Sequence, residues 1–428
     1  EYGLIKNRVR VECEWLLFLC DTEEITEISD LDNPEQVFIR DIYLKFRIEE
    51  AEQVKQTEAI TNHDVKAVEY FVKTCLQKNP KTKNLVEWVH FGCTSEDINN
   101  TAYAIMLKNA RSEVMLKTMN SLIKEIEVLS KTNASLAMLS RTHGQVASPT
   151  TLGKELKNVS ERLKRQLTQF EKIEILGKFN GAVGNFNAHH TAYPRADWVS
   201  LSSQFLDRLG LKINKHTTQI EPHDYVAELF DCLKRFNQVL LDFDRDIWSY
   251  VSIDYFKQKK VEGETGSSTM PHKINPIDFE NSEGNLGIAN ALLEHMSSKL
   301  VISRLQRDLS DSTVLRNIGS ALGHCVLAYK STLKGLTRLE VNEEKISEDL
   351  SDSWEVLAEP VQTIMRKYGM AEPYERLKKA TRGRQLDENS YHSILKELNL
   401  PENAMSELKS LKPETYTGLA TQLTNEND

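Results

Sequence analysis

Gly266-Ser267-Ser268-Thr269-Met270-Pro271-His272-Lys273-Ile274-Asn275-Pro276 gathers hydroxyls, an imidazole, an ammonium and an amide into eleven consecutive residues. Packing has no use for such a stretch, and long polar loops set between helices are disproportionately functional. Lys273 brings a cation and Asn275 an amide donor. His272 is the base that unaided chemistry nominates, because a serine hydroxyl is a poor one. Three further polar segments interrupt the apolar pattern. Thr61-Asn62-His63-Asp64 reads as a substrate-facing turn or as a plain helix cap, since Asn and Asp bond the free N–H groups of a helix start. His90-Phe91-Gly92-Cys93-Thr94-Ser95-Glu96-Asp97 is again a cap, or a helix N-terminus able to hold a carboxylate or phosphate. Ser140-Arg141-Thr142-His143-Gly144-Gln145 sets a histidine between hydroxyls and glycine just ahead of Pro149, and taken alone such a histidine is more often structural than catalytic.

The frame that must position these segments is helical. No proline occurs in 81–148, 150–193 or 277–359, and proline is what normally interrupts a helix. Val226, Leu229, Leu233, Phe236, Leu240, Phe243, Ile247 and Tyr250 step by three and four, holding an apolar stripe on one helical face for about seven turns. Leu152, Leu156, Val159, Leu163, Leu167 and Phe170 repeat the pattern, as do Met119, Leu122, Ile126 and Leu129, while Leu286, Leu293 and Leu300 keep heptad spacing. The expectation is an all-α protein built on a bundle of long helices. Glu174 to Phe186, with three glycines, reads as a loop or short hairpin between helices. Boundaries fall near residue 83 and before the charged stretch Asn342-Glu343-Glu344-Lys345. They give an N-terminal helical domain 1–83, a central long-helix domain 84–336 and a C-terminal helical domain 337–428.

Composition narrows the function. Over 428 residues, Lys+Arg 54 against Asp+Glu 63 leaves a net charge of -9, which argues against a nucleic-acid binder, since phosphate affinity rests on an excess of cations. The longest apolar run, Trp15 to Cys20, falls far short of a bilayer span, and no signal peptide opens the chain, so the expected location is cytoplasmic. The six cysteines stand singly, without zinc spacing, and read as reduced core thiols; no metal or other cofactor is expected. The sequence opens on Glu1 and runs straight into an apolar-periodic stretch, as a chain beginning inside a longer protein does.

Residues 266–276, continued by Ile277-Asp278-Phe279-Glu280-Asn281, resemble the signature of the aspartase/fumarase superfamily of lyases. The His272-Lys273-Ile274-Asn275-Pro276 wording looks like the branch of that superfamily that acts on succinylated purine nucleotides. So do Asn62-His63-Asp64 and Thr217-Thr218-Gln219-Ile220-Glu221-Pro222-His223-Asp224-Tyr225, and the likeness runs over essentially the whole chain. The resemblance implies a cofactor-free β-elimination that releases fumarate from adenylosuccinate, giving AMP, and from the succinylated aminoimidazole carboxamide ribotide. By motif correspondence Ser267 is the general base and His143 the general acid, which makes His272 a loop residue. Lys273 and Asn275, with Thr94, Ser95 and Ser268, face the carboxylate that gains charge. Arg307, Ser312, Thr313 and Arg316 correspond to the segment gripping the phosphate and succinyl groups, and arginine suits oxyanions because its fork binds them in a bidentate way. Asn62 and Asp64 correspond to nucleotide contacts, His63 to a histidine that contacts the substrate and helps orient the acid, Gln219 and Asn281 to further substrate contacts, and Glu280 to a support for His143 or to a plain helix-start acid.

The resemblance also implies a homotetramer whose central helices form a twenty-helix core, with each active site drawn from three subunits. On this reading the long stripes are more than one chain buries alone. The sequence departs from the family in two places: Val146 stands where a proline usually follows the glutamine, and an N-terminal segment with an Arg-Tyr pair is not present. Two other readings share the motifs. A sister lyase acting on argininosuccinate or a small acid would not need Arg307 and Arg316, and an inactive structural relative would not need His143, Ser267 and Lys273.

Overall fold

The computed structural model describes residues 1–28, 31–259, 270, 273–382 and 386–426. Long helices dominate: Tyr2–Cys20, Leu116–Thr132, Leu152–Lys172, Asp224–Ser252, Ile277–Leu300 and Ile318–Arg338. Pro222 and Pro276 stand shortly before two of them, where a missing N–H costs nothing. The strands form three two-stranded sheets, Ala137–Thr142 with Gln145–Thr151, Leu176–Gly177 with Lys212–Ile213, and Phe256–Gln258 with Leu339–Val341.

Backbone contacts divide the chain into two compact units. One comprises residues 1–117, 168–235 and 288–324, the other 118–167, 236–287 and 325–428. In the first, Trp15, Phe18, Phe179 and Phe205 form an aromatic core with ring centroids 4.6 to 5.6 Å apart. The 174–186 stretch contributes one strand to a parallel bridge with Lys212–Ile213 rather than a hairpin of its own. Gly177 has no room for a side chain there, because a Cβ would lie 2.9 Å from Leu206 Cδ2.

The striped positions are buried, with Leu129 and Tyr250 partly so. This corrects the expectation that one chain cannot bury them: the stripes close on the chain's own helices, and any subunit contact must use other faces. None of the six cysteines, all among the described residues, is in a disulfide, and Cys75 and Cys93 are only half-buried rather than core.

In the second unit the apolar core holds one polar knot. Thr332 Oγ1 lies 2.9 Å from Asp244 Oδ1 and 2.8 Å from Ser282 Oγ. Asp244 is 1 % exposed, and burial pushes its carboxyl up to about 8, although Ser282 and Thr332 pull the other way. The folded chain therefore keeps a proton that the unfolded chain, with an ordinary carboxylate near ~4, releases. Stability attributable to this group is full below about pH 4, falls as pH rises towards about 8, and is level above that. Asp244→Asn, which keeps the shape without the ionisation, should gain melting temperature over the parent as pH rises from 5 to 7. A gap that does not widen over that range would mean the acid is not neutral in the fold.

Candidate active site

In the first unit the site grows from three helix starts. The helix Asp64–Gln77 begins at His63, whose Nδ1 accepts from the Lys66 N–H at 3.1 Å, so its Nε2 points away from its own helix. That Nε2 lies 3.4 Å from Ser95 Oγ, at the start of the helix Ser95–Asn109. Asn62 just before takes a left-handed conformation (φ 51°), which turns the chain between two helices. Asp64 accepts from Arg8 Nη2 at 2.6 Å and from the Val65 N–H at 2.9 Å. Burial works to raise its carboxyl pKa, but Arg8 and Val65 outweigh it and hold the group below the usual range. The cap reading of the segment holds, through His63, whose other ring nitrogen faces Ser95.

Thr94 and Ser95 are held from behind. The Thr94 N–H donates to Asp97 Oδ2 at 2.7 Å, the return half of a capping box. Asp97 Oδ1 accepts from Lys178 Nζ at 2.7 Å and from the Asn180 N–H at 3.0 Å, with the Asp97 and Lys178 side chains fully buried. Two residues before Thr94, Gly92 (φ +70°) leaves room for the His189 ring, which a Cβ would strike at 2.5 Å. Burial keeps that imidazole neutral by lowering its pKa to about 4.

The third start carries the arginines. Arg307 Nη2 pairs with Glu96 Oε1 at 2.9 Å, and burial raises the Glu96 carboxyl despite that partner. Thr218, next to Gln219, donates to the Gln306 carbonyl at 2.8 Å. Ser312 N–H donates to Asp311 Oδ1 at 2.7 Å, and Thr313 follows on the same short helix, Ser310–Leu315. Arg316 Nη1 donates to Glu1 Oε2 at 2.9 Å, and its Nη2 lies 3.7 Å from Asp64 Oδ2. Residues 62–64, 94–96 and 307–316, distant in sequence, therefore meet in this unit through His63–Ser95, Glu96–Arg307 and Asp64–Arg316. Sequence reasoning passed over Arg8, Asn99 and Lys178. Arg8 Nε donates to Asn99 at 2.7 Å, and nothing in their local sequence distinguishes these residues from ordinary helix and loop positions.

The second unit carries His143, Lys273, Asn275, Glu280 and Asn281. His143 sits at the tip of the hairpin Ala137–Thr151, where Thr142 pairs with Gln145 across a two-residue turn. His143 (φ 53°) and Gly144 (φ 74°) are both left-handed, the geometry that matches the twist of a tight hairpin. The hairpin was not expected, because Pro149 argues against a strand. The structure accommodates it with a bulge: Leu139 faces Pro149 while Ser140 faces Ala147, leaving Ser148 as the extra residue. Glu280 accepts from Trp248 Nε1 at 3.1 Å, and Asn281 Nδ2 donates to Ser331 Oγ at 3.1 Å. Lys273 is exposed and Asn275 half-buried. Ser267, Ser268 and His272 lie outside the described residues.

Comparison with known proteins gives the family and the fold. The lyase family matches residues 32–290, and the adenylosuccinate lyase C-terminal family residues 303–417. The fold is that of fumarate lyase from Mesorhizobium sp. BNC1, with a TM-score of 0.78, 17% identity and coverage of 99% of this chain and 95% of that one. A lactonizing enzyme from Pseudomonas putida, acting on 3-carboxy-cis,cis-muconate, aligns similarly, at TM-score 0.77 and 18% identity over 99% and 93%. The class is thus an all-α lyase of the fumarase/aspartase-like fold. At higher identity, adenylosuccinate lyase from Haemophilus influenzae is 52% identical over 99% of this chain and 93% of its own length. The Escherichia coli K12 enzyme is 52% identical over 100% and 93%. The chain belongs to the adenylosuccinate lyase family.

Proposed function

We propose that this chain is a carbon-nitrogen lyase of purine nucleotide biosynthesis that splits adenylosuccinate into AMP and fumarate, and the succinylated aminoimidazole carboxamide ribotide into the free carboxamide ribotide and fumarate. Ser267 removes the proton from the succinyl Cβ. The electrons pass through the adjacent carboxylate and form the fumarate double bond as the C–N bond breaks. The nitrogen leaves with the bonding pair and takes a proton from His143, so one proton is removed and one supplied. Lys273 and Asn275, with Thr94, Ser95 and Ser268, stabilise the carboxylate at its moment of highest charge. Arg307, Ser312, Thr313 and Arg316 hold phosphate and succinyl oxygens; Asn62, His63, Asp64, Gln219 and Asn281 hold the rest of the substrate, and Glu280 supports His143.

The observation that best supports this reading is the meeting of residues 62–64, 94–96 and 307–316, which gathers a histidine, hydroxyls and two arginines as a nucleotide diacid requires. A sister lyase for a small acid has no use for that pair of arginines.

In this reading the protein is a cytoplasmic homotetramer, its three helical parts meet near residues 83 and 337, and its active sites are shared between subunits. No described helix is long and apolar enough to cross a membrane. Support for the tetramer comes from glycines inside long helices, each worth about 1 kcal/mol less than alanine. Gly284 and Gly287 in Ile277–Leu300, and Gly319 and Gly323 in Ile318–Arg338, have nothing within 4 Å of an added Cβ. Faces bare of side chains let another subunit's backbone approach closely.

The test is an ultraviolet progress curve with adenylosuccinate, products identified by NMR, and argininosuccinate run alongside. Fumarate and AMP from adenylosuccinate alone are expected. Cleavage of argininosuccinate instead would install the sister activity, and no cleavage of either by an assembled tetramer would put the structural relative first.

A further inference from the structure

The hairpin that carries His143 is a two-stranded ribbon, and such ribbons are marginal in water unless something packs against them. What packs against it is the C-terminal stretch from Glu343 to Asn425, which contains none of the proposed site residues. Leu139, 2 % exposed, is part of the apolar cluster formed by Leu350, Trp354, Leu357 and Leu395. Arg141 lies two residues on, hence on the same face of the strand, and two before His143. Its Nη2 is 3.7 Å from Asp349 Oδ2, and its guanidinium carbon 6.0 Å from the centroid of the Tyr255 ring. Asp349 is itself fixed by Lys345 Nζ at 2.7 Å.

The opposite strand is fastened at its irregularity. A bulge re-aims the side chain of its extra residue. Here that residue is Ser148, and its hydroxyl donates to Glu359. Glu359 also acts on Tyr416, whose hydroxyl is pushed up to about 12 by burial and by this carboxylate. Each strand of the hairpin therefore has one carboxylate anchor from the C-terminal stretch, placed behind an exposed tip whose left-handed residues leave little freedom to reorient.

We infer that the C-terminal stretch is the mount of the general-acid hairpin, and that Arg141, Asp349 and Glu359 are positioning residues that aim His143 at the leaving nitrogen. The inference rests on the role given to His143 above. Since none of the three is among the residues assigned to the substrate, losing an anchor should disturb proton delivery and leave binding alone.

The experiment compares Glu359→Ala, Glu359→Gln, Asp349→Ala, Ser148→Ala and His143→Ala in the assembled full-length protein. Glu359→Ala and Asp349→Ala should lower kcat about tenfold with KM within twofold of the parent, and should raise the solvent deuterium isotope effect on kcat as proton transfer becomes limiting. Glu359→Gln, whose amide oxygen still accepts from Ser148, should recover most of the loss. Ser148→Ala combined with Glu359→Ala should cost no more than Glu359→Ala alone. A melting temperature that drops while kcat and the isotope effect stay at parent values overturns the mount, as does a loss that appears in KM. If His143→Ala turns over normally, the general-acid assignment fails and takes the inference with it. If His143→Ala is inactive while both anchor variants match the parent, the mount alone fails.

Discussion

Replacing His143 by alanine should lower turnover at least a hundredfold, with helix content and assembly unchanged, and Ser267→Ala should do the same. A positioned general acid or base contributes ~10²–10⁴ in rate, and a hundredfold loss corresponds to about 2.7 kcal/mol of transition-state stabilisation. The structure gives a reason to expect a clean result at His143. Its side chain is exposed at a hairpin tip and fills no core, so truncation leaves no cavity. Alanine also relaxes nothing by itself, since the left-handed backbone there is imposed by the hairpin and by Gly144. If the sites are shared between subunits as proposed, mixing the two inactive proteins under conditions of subunit exchange should restore part of the activity, because some sites then combine an intact His143 from one subunit with an intact Ser267 from another. Near-normal turnover in either single variant removes that residue from its role. Failure of the mixture to recover any activity, with exchange demonstrated, places both groups in one chain's site.

How much of this could be read from the sequence depended on whether the information was periodic or relational. The stripe from Val226 to Ile247 is periodic, and every named position in it is buried. What periodicity does not carry is the identity of the partner. The stripes close on helices of the same chain, whereas the glycines at 284, 287, 319 and 323 leave open space where a side chain would stand. The hairpin at residues 137–151 escaped notice because its turn is His-Gly rather than Asn-Gly and its second strand contains Pro149, which only a bulge makes tolerable. In the site, capping chemistry marked Thr94 and Asp97 by their spacing alone. Arg307 and Arg316 read by themselves as surface charges, and only the tertiary pairs with Glu96 and Asp64 set them apart. Lys178 gave no signal at all: one lysine in a glycine-containing loop becomes exceptional only when it proves fully buried against Asp97.

That pair should dominate the stability of the loop bearing Thr94 and Ser95, and its two halves should not be equivalent. Breaking a buried ion pair by removing one partner costs about 3–5 kcal/mol, because the other charge is left without compensation. Asp97, however, has more than Lys178 to compensate it. Its carboxylate accepts from the N–H groups of Thr94 at 2.7 Å, Asn180 at 3.0 Å and Gly181 at 3.2 Å, and it lies in the first turn of the helix Ser95–Asn109, where the helix dipole favours negative charge. The Lys178 ammonium has, besides Asp97, the Gly181 carbonyl at 2.7 Å. Asp97→Asn should therefore lower the melting temperature more than Lys178→Met, which keeps the length of the stem and leaves the anion held by backbone donors. Combining the two should recover part of the loss, since no charge then remains buried. In the variants that still assemble, the loosened Thr94 start should appear as a raised KM for adenylosuccinate, with a smaller effect on kcat. Thermal unfolding and steady-state kinetics of the three proteins check the order. A larger loss from Lys178→Met than from Asp97→Asn would show that ion pairing, and not backbone donation, is what holds the Asp97 charge in the fold.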